Sequence, residues 1–144
     1  MKKHSRFGRD AIDLAEKDAE KPVEFLNVAK DIAHYHHEKW DGSGYPEGLT
    51  GDAIPIAARL MALADVFDAL ISQRAYKPPF PFEKAVAIIS EGRSCHFDPD
   101  IVDAFLARLD EFEAIAATHA DSEASAIAKF EKLKGRLPPP EALE

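Results

Sequence analysis

The sequence predicts an all-α protein, with one compact helical domain followed by a C-terminal helical extension. Apolar residues recur at three- and four-residue spacing almost throughout the chain, and no convincing two-residue alternation typical of strands occurs. Apolar residues make up 46% and charged residues 31% of the 144 positions, which is the balance of a globular protein. Because a chain of this length can bury a core of its own, we predict one domain.

The first three predicted helices lie on either side of a glycine-rich segment. A short helix is expected near residues 12–15, and Pro22 suits the first turn of a second helix that runs to a pair of histidines. Glycines and prolines between Trp40 and Pro55 exclude a helix there. The third helix, residues 56–72, is apolar on nearly all sides, so we expect it to be buried centrally.

Three further helices are predicted downstream. Residues 82–90 follow a rigid connector built from prolines and should be helical. Asp98 has the pattern of an N-cap with Pro99 at the first helical position, which predicts a helix from there to about Ala117. Residues 122–133 have the apolar spacing of a final amphipathic helix.

These elements predict three regions of the chain. Residues 1–110 form the helical domain, residues 111–137 form the helical extension, and residues 138–144 form a flexible tail. Consecutive prolines at the start of the tail favour an extended backbone.

Composition narrows the partners and the compartment. The net charge of −8 argues against non-specific binding to nucleic-acid backbones, which requires a basic surface. Cys95 is the single cysteine, so no intrachain disulfide is possible, as is typical of a reducing cytoplasm. No apolar run is long enough to span a bilayer, and no secretory signal pattern occurs. We therefore predict a cytoplasmic protein with neither nucleic acid nor membrane as a partner.

Two adjacent histidines, His36 and His37, run directly into a glycine-rich turn that contains Tyr45. Imidazole is a common ligand of transition metals, and glycine lets the backbone approach a ligand closely. This combination indicates a hydrolytic metal site. Side chains of neighbouring helical residues diverge by about 100°, so such a pair suits a cluster of two or more ions better than one chelated ion.

Each of these residues also has a structural interpretation. A histidine pair at a helix end can be a cap or a surface feature. Asp65 lies in an apolar helix where an unpaired carboxylate would be costly, so it should bind either a metal or a cation such as Arg59. Tyr45 can pack the loop onto the core, and we expect His34 to be an ordinary surface histidine.

Five short segments resemble, in order, the motifs of the HD-GYP family, whose name includes a Gly-Tyr-Pro tripeptide. The segments are HSRFG at 4–8, HHEKWDGSGYPEG at 36–48, ADVFDAL at 64–70, SQRAYK at 72–77 and HFDP at 96–99. The resemblance implies an all-α fold of the HD-phosphohydrolase type and a metal-dependent phosphodiesterase that hydrolyses cyclic di-GMP with a metal-activated water. We interpret the last segment as a structural cap and loop anchor.

The resemblance also implies roles for particular residues. The metal-ligand positions, for iron or manganese with zinc as the alternative, are matched by His4, His36, His37 and Asp65. The positions that face the bases and phosphates of the ligand are matched by Tyr45, Arg74 and Lys77. The loop that carries the tripeptide is matched by Gly42, Gly44 and Pro46. Without the resemblance, Arg74 and Lys77 would be interpreted as solvated loop cations.

One family feature is missing from the sequence. The family's His-Asp pair lies upstream of the position matched by His4, and in this chain no histidine directly precedes an aspartate. We therefore expect a domain truncated at its N-terminus, with weak or no activity as an isolated chain. The alternative function is a non-enzymatic module for second-messenger sensing or protein interaction. The helices that carry the His-Asp pair in the family would cover one side of the third helix. We therefore also expect an exposed apolar face on that helix, covered by a second copy or a partner chain.

Overall fold

The computed structural model describes residues 3–17, 24–72 and 77–134. Its helices are α1 (His4–Lys17), α2 (Glu24–Tyr35), α3 (Ile56–Ile71), α4 (Phe82–Glu91), α5 (Pro99–Leu106) and α6 (Leu109–Lys134), with a 3-10 turn at Gly51–Ala53. Within the described ranges no strand occurs beyond two isolated bridges, Asp41 to Thr50 and Arg93 to Phe97. The predicted all-α fold is confirmed.

The start of α5 has the predicted capping pattern. The Asp98 carboxylate accepts a hydrogen bond from the Asp100 amide at 2.9 Å, and Pro99 occupies the first turn, where its missing N–H costs nothing. The second carboxylate oxygen of Asp98 accepts from Arg59 Nη1 at 2.6 Å, and Asp98 itself is buried. Arg59 thus joins α3 to the cap of α5, and the carboxylates that it contacts among the described residues are Asp98 and Asp52.

The core forms where α3 packs against α2, α4 and α5, while α1 packs against α2. Buried apolar side chains come from α3, α4, α5 and the loops that precede α3 and α5: Ile54, Ala58, Ala62, Leu63, Phe67, Ala85, Ile89, Phe97, Val102 and Phe105. Helix α3 is central, as expected, but it is buried on one side only. Its neighbours among the described residues cover one side, and Ile56 and Leu60 on the other are 54% and 52% exposed.

Three helix boundaries differ from the prediction. The first helix is longer than expected and begins at His4. The helix that starts at Pro99 ends at Leu106 rather than near Ala117. The remainder is one 26-residue helix, because seven alanines between residues 114 and 128 favour helix across the expected break.

By its contacts the chain divides into two compact units, Met1–Ala107 and Arg108–Glu144. The predicted division into a helical domain, residues 1–110, and a helical extension, residues 111–137, stays a prediction. The predicted tail at 138–144 lies outside the described residues, as does Pro22.

Among the described residues, no helix has the length and apolar character required to cross a membrane.

Candidate functional site

Three imidazoles meet at one end of the α1–α2 pair. His4 begins α1, while His36 and His37 directly follow the last residue of α2. The Nε2 atoms of His4 and His37 lie 2.9 Å apart, and one ring nitrogen from each of the three residues falls within 4.8 Å of the others. Helix packing therefore brings together histidines that are 33 residues apart in the sequence, and their role as metal ligands stays a prediction.

The orientation of His36 is set by its own helix. Its Nδ1 atom lies 2.7 Å from the carbonyl oxygen of Ile32, one turn earlier. A carbonyl oxygen only accepts hydrogen bonds, so Nδ1 is the donor, and in the neutral ring Nε2 has the lone pair. A histidine with one nitrogen fixed in this way presents the other as a metal ligand.

The environment of His37 keeps its ring neutral. Burial lowers the pKa of His37 below its ordinary value of 6.5, and charge on His36 and His4 acts in the same direction. The Asp65 carboxylate opposes these effects and raises the pKa, which places its negative charge near the ring. A neutral imidazole has the lone pair that metal coordination requires.

This donor set fits a divalent transition metal. Imidazole nitrogens suit zinc, iron and related ions, and a metal–nitrogen bond of about 2.1 Å places two neighbouring ligands on one ion roughly 3 Å apart. The separation of 2.9 Å between His4 and His37 matches that spacing. Asp65 is exposed and lies outside the three-histidine cluster, so the argument for it from burial was wrong. Its assignment as a ligand stays a prediction.

The segment after the histidines folds back on them as a loop. The Tyr45 amide donates to the His37 carbonyl at 3.2 Å, and the Tyr45 ring stacks on the His37 ring with centroids 4.9 Å apart. The Tyr45–Pro46 peptide bond is cis. Tyr45 therefore packs the loop against a candidate metal ligand, and its ligand-facing role stays a prediction.

Two glycines of the loop are required by geometry. Gly42 has φ of +84°, where a side chain is strained. Gly44 lies so close to the backbone of residues 37–39 that an added Cβ would stand 2.4 Å from the Lys39 nitrogen and 2.5 Å from the His37 oxygen. The loop can approach the histidines this closely only because residue 44 has no side chain.

A buried carboxylate lies under the loop. Glu38 is 2% exposed, and it accepts hydrogen bonds from the amides of Glu47, Gly48 and Leu49 at 2.6, 3.2 and 3.0 Å. The Glu47 side chain in turn contacts α2 through His34 Nε2, at 3.1 Å. His34 is buried, so its interpretation as a surface histidine was wrong; its neighbour Glu47 was not visible from the sequence.

The HFDP segment supports the loop from the opposite side. The backbone carbonyls of Cys95 and His96 accept from the amides of Asp41 and Trp40 at 2.9 and 3.1 Å, in agreement with a loop anchor. Burial lowers the pKa of His96, and the same ring acts electrostatically on His37. Sequence analysis gave His96 a structural role alone and missed its position beside the cluster.

The two remaining candidate residues, Arg74 and Lys77, follow α3 in the sequence. Arg74 lies outside the described residues. Lys77 is exposed, and its ammonium lies 4.2 Å from the centroid of the Phe80 ring, a cation–π contact. Neither the ligand-facing role nor the solvated alternative is tested for these two cations.

A sequence profile described as HD domain matches residues 2–101 of the chain. The chain belongs to the HD domain family. The matched range of this HD domain contains every candidate site residue from His4 to Lys77.

Relatives of this HD domain are phosphodiesterases for cyclic dinucleotides. A cyclic di-GMP phosphodiesterase of Vibrio cholerae is 57% identical over 122 residues, which cover 85% of this chain and 25% of that protein. A 3'3'-cGAMP-specific phosphodiesterase of the same organism is 43% identical over 121 residues, 84% of this chain and 22% of that protein. These matches confirm the HD-GYP resemblance. The chain spans about a quarter of the length of these curated relatives.

The fold of this HD domain is also found in a crystal structure. A cyclic GMP-AMP specific phosphodiesterase of V. cholerae superposes with a TM-score of 0.55 at 24% sequence identity, over 96% of this chain and 29% of that chain. At this level of identity the likeness establishes the fold.

Proposed function

We propose that this HD domain segment provides the histidine part of a metal-dependent phosphodiesterase centre that acts on a cyclic dinucleotide, with cyclic di-GMP as the first substrate. The observation that carries the proposal is the convergence of His4, His36 and His37, with the Tyr45 ring stacked on one of them. Relatives above 40% identity that are named phosphodiesterases for cyclic dinucleotides support this substrate class.

The proposed roles follow from the chemistry of each side chain. His4, His36 and His37 hold the metal, and Asp65 adds negative charge beside them. A divalent transition metal at this position supplies Lewis-acid polarisation of a phosphate oxygen and lowers the pKa of a water nucleophile. We propose iron or manganese, as the resemblance implies, with zinc as the alternative; imidazole ligands suit iron and zinc, and a carboxylate such as Asp65 suits manganese.

The ligand-facing residues would bind and orient the substrate. Tyr45 presents a phenol at the edge of the cluster, suited to stacking on a base or donating to a phosphate oxygen. Arg74 and Lys77 would bind phosphate oxygens, the first through a planar fork and the second as a point charge.

We further propose that the 144-residue chain alone hydrolyses its substrate weakly or not at all, because it contains no His-Asp pair. A second copy or a partner chain would then complete the centre. The apolar side of α3, with Ile56, Leu60 and Met61 exposed, is a surface suited to such an association. We place the protein in the cytoplasm, where a single unpaired Cys95 stays reduced.

Elemental mass spectrometry of the purified chain tests the metal proposal. We expect at least one equivalent of transition metal in the natural sequence and in His119→Ala, a control histidine from α6 outside the cluster. The double variant His36→Ala, His37→Ala should contain none. Equal metal in the double variant, or none in any protein after reconstitution with iron, manganese and zinc, would overturn the proposal.

Substrate assays on the metal-loaded chain separate the two function classes. Slow hydrolysis of cyclic di-GMP or 3'3'-cGAMP that disappears in the double histidine variant supports the phosphodiesterase. Binding of either dinucleotide without hydrolysis, retained in that variant and lost in Tyr45→Ala, supports the sensing module instead.

A further inference from the structure

The carboxylate of Glu38 is enclosed by the loop that follows it. Both of its oxygens are occupied, Oε1 by the amides of Glu47 and Gly48 and Oε2 by the amide of Leu49. The side chain is 2% exposed, which makes Glu38 one of the largest fully buried side chains of the described chain. Because the oxygens point at the loop backbone, Glu38 is not available as a ligand for the neighbouring histidine cluster.

These contacts join two functional stretches of backbone. Glu38 directly follows His37, and its three amide partners directly follow Tyr45 and Pro46. One side chain therefore fixes the backbone after the candidate ligands relative to the backbone after the tyrosine that stacks on them. Between these two stretches the loop approaches the backbone of residues 37–39 closely at Gly44.

The energetics favour a single loop position. A carboxylate that accepts several backbone N–H groups makes charge-assisted hydrogen bonds, which are about twice as strong as neutral ones. Without the carboxylate, three loop amides would lose an acceptor that is itself buried. The loop would then relax toward solvent, and the first contact to open would be the stack between Tyr45 and His37.

We propose that Glu38 is a positioning residue that sets the Tyr45 ring against His37 and thereby fixes the substrate-facing loop relative to the metal cluster. The part of this inference that gives Tyr45 a ligand rests on the proposed function, whereas the positioning of the ring does not.

The test uses Glu38→Gln in the full 144-residue chain, because glutamine keeps the shape and removes the charge and one acceptor oxygen. The primary readout is the ring-current shift of the His37 imidazole protons in metal-free protein, measured by NMR with Tyr45→Ala as the reference for complete loss of stacking. We expect the His37 signals of Glu38→Gln to move toward those of Tyr45→Ala. Unchanged His37 signals in Glu38→Gln would overturn the proposal.

Asp98→Asn is the matched control. Asp98 is also a buried carboxylate that accepts from a backbone amide, but its partners are Asp100 and Arg59, at the start of α5. We expect Asp98→Asn to lower the melting temperature while the His37 signals stay in place. If both variants move the His37 signals alike, the effect is general destabilisation and Glu38 has no special positioning role.

If Glu38→Gln fails to fold, hydrogen–deuterium exchange in the natural sequence tests the role of Glu38 instead. The amides of Glu47, Gly48 and Leu49 lie outside helices and strands, yet they should exchange with deuterium slowly because each donates to the buried carboxylate. Exchange at the rate of an exposed loop would overturn the proposal.

Titration of metal-loaded protein with cyclic di-GMP extends the test to the ligand. We expect Glu38→Gln to retain its metal and to bind about tenfold more weakly, which is the loss of roughly one charge-assisted hydrogen bond. If the natural sequence does not bind cyclic di-GMP, the proposed substrate is wrong, and the His37 signals still decide the role of Glu38.

Discussion

The loop of residues 36–54 and the helix α6 maintain their conformations in opposite ways. The loop has no regular structure beyond one 3-10 turn, yet it is held by contacts with distant residues, such as the Trp40 amide on the His96 carbonyl. Helix α6 has 26 residues of regular structure, and the contacts described within it are local, such as the Thr118 hydroxyl on the Ala114 carbonyl. The irregular segment is the more specifically fixed of the two.

The difference shows what each region requires from its sequence. A helix requires propensity, which many residues supply, so α6 can be rich in alanine with exposed charges. The loop requires particular residues at particular places, because its backbone amides have no helical partners and must find acceptors elsewhere. Substitutions should therefore have large, position-specific effects in the loop and small, graded effects in α6.

The largest effect is expected from one added methyl group in the loop. Gly44→Ala would bring a Cβ within 2.6 Å of three backbone atoms, which cannot move as a flexible side chain can. We expect the free energy of unfolding to fall by about 3 kcal/mol. The control is Gly8→Ala in α1, where the new Cβ would meet Ala33 at an ordinary 3.4 Å and stability should rise by about 0.5 kcal/mol. Urea unfolding measures both, and equal effects would contradict the comparison.

Acidification should lower both the free energy of unfolding and the affinity of the histidine cluster for metal. Burial lowers the pKa of His37 and of His96, so the unfolded chain binds more protons than the folded chain as the pH falls below 6.5. The free energy of unfolding should therefore fall in that window, and metal affinity should drop by about tenfold per pH unit for each competing proton. Urea unfolding and metal titration from about pH 7.5 to about pH 5 measure these changes. A free energy of unfolding that rises on acidification would contradict the prediction.

A smaller effect is expected when a methyl group is removed from α6. Ala120 is an exposed helical residue, so Ala120→Gly should cost about 1 kcal/mol of helix stability through backbone entropy alone. Far-ultraviolet circular dichroism should show a modest loss of helix, and the metal content should be unchanged. A loss of metal from this variant would mean that α6 influences the site.

The smallest effect is expected from the ion pair at the start of α6. Arg108 Nη1 lies 2.6 Å from Glu111 Oε1, but both side chains are about two-thirds exposed, at 66% and 64%. Arg108→Ala should change helix stability by about 0.5 kcal/mol or less, and added salt should remove the difference. Thermal melts at low and high salt check this. A change of several degrees in the melting temperature would mean that the ion pair contributes more to stability than an ordinary surface pair.

Local signals allowed the fold and the start of α5 to be predicted. The capping role of Asp98 depends on a residue only two positions away, so the sequence pattern is sufficient. The exposed side of α3 was expected from the absence of the His-Asp pair, whereas hydrophobicity alone does not state which neighbours are present. The same limit applies to Asp65, whose apolar sequence context wrongly suggested burial.

The candidate site was predicted from sequence motifs. The contacts that hold the site in place were not predicted. The pattern around His36 and His37 is contiguous and therefore visible in the sequence. Glu38 and Glu47 act through contacts that the folded loop alone creates, so sequence analysis gave Glu38 a general orienting role and gave Glu47 none. His96 reaches the cluster from a segment about 60 residues away, a distance at which one sequence carries no signal.

The hydrogen bond between His36 Nδ1 and the Ile32 carbonyl has a consequence for protein engineering. The proton that defines the tautomer of His36 is held by the backbone of its own helix, within five consecutive residues. No other side chain has to be transplanted for this imidazole to keep its orientation. The last turn of α2 is therefore a portable unit, and a designed helix ending in the same way would present a histidine nitrogen already poised for coordination.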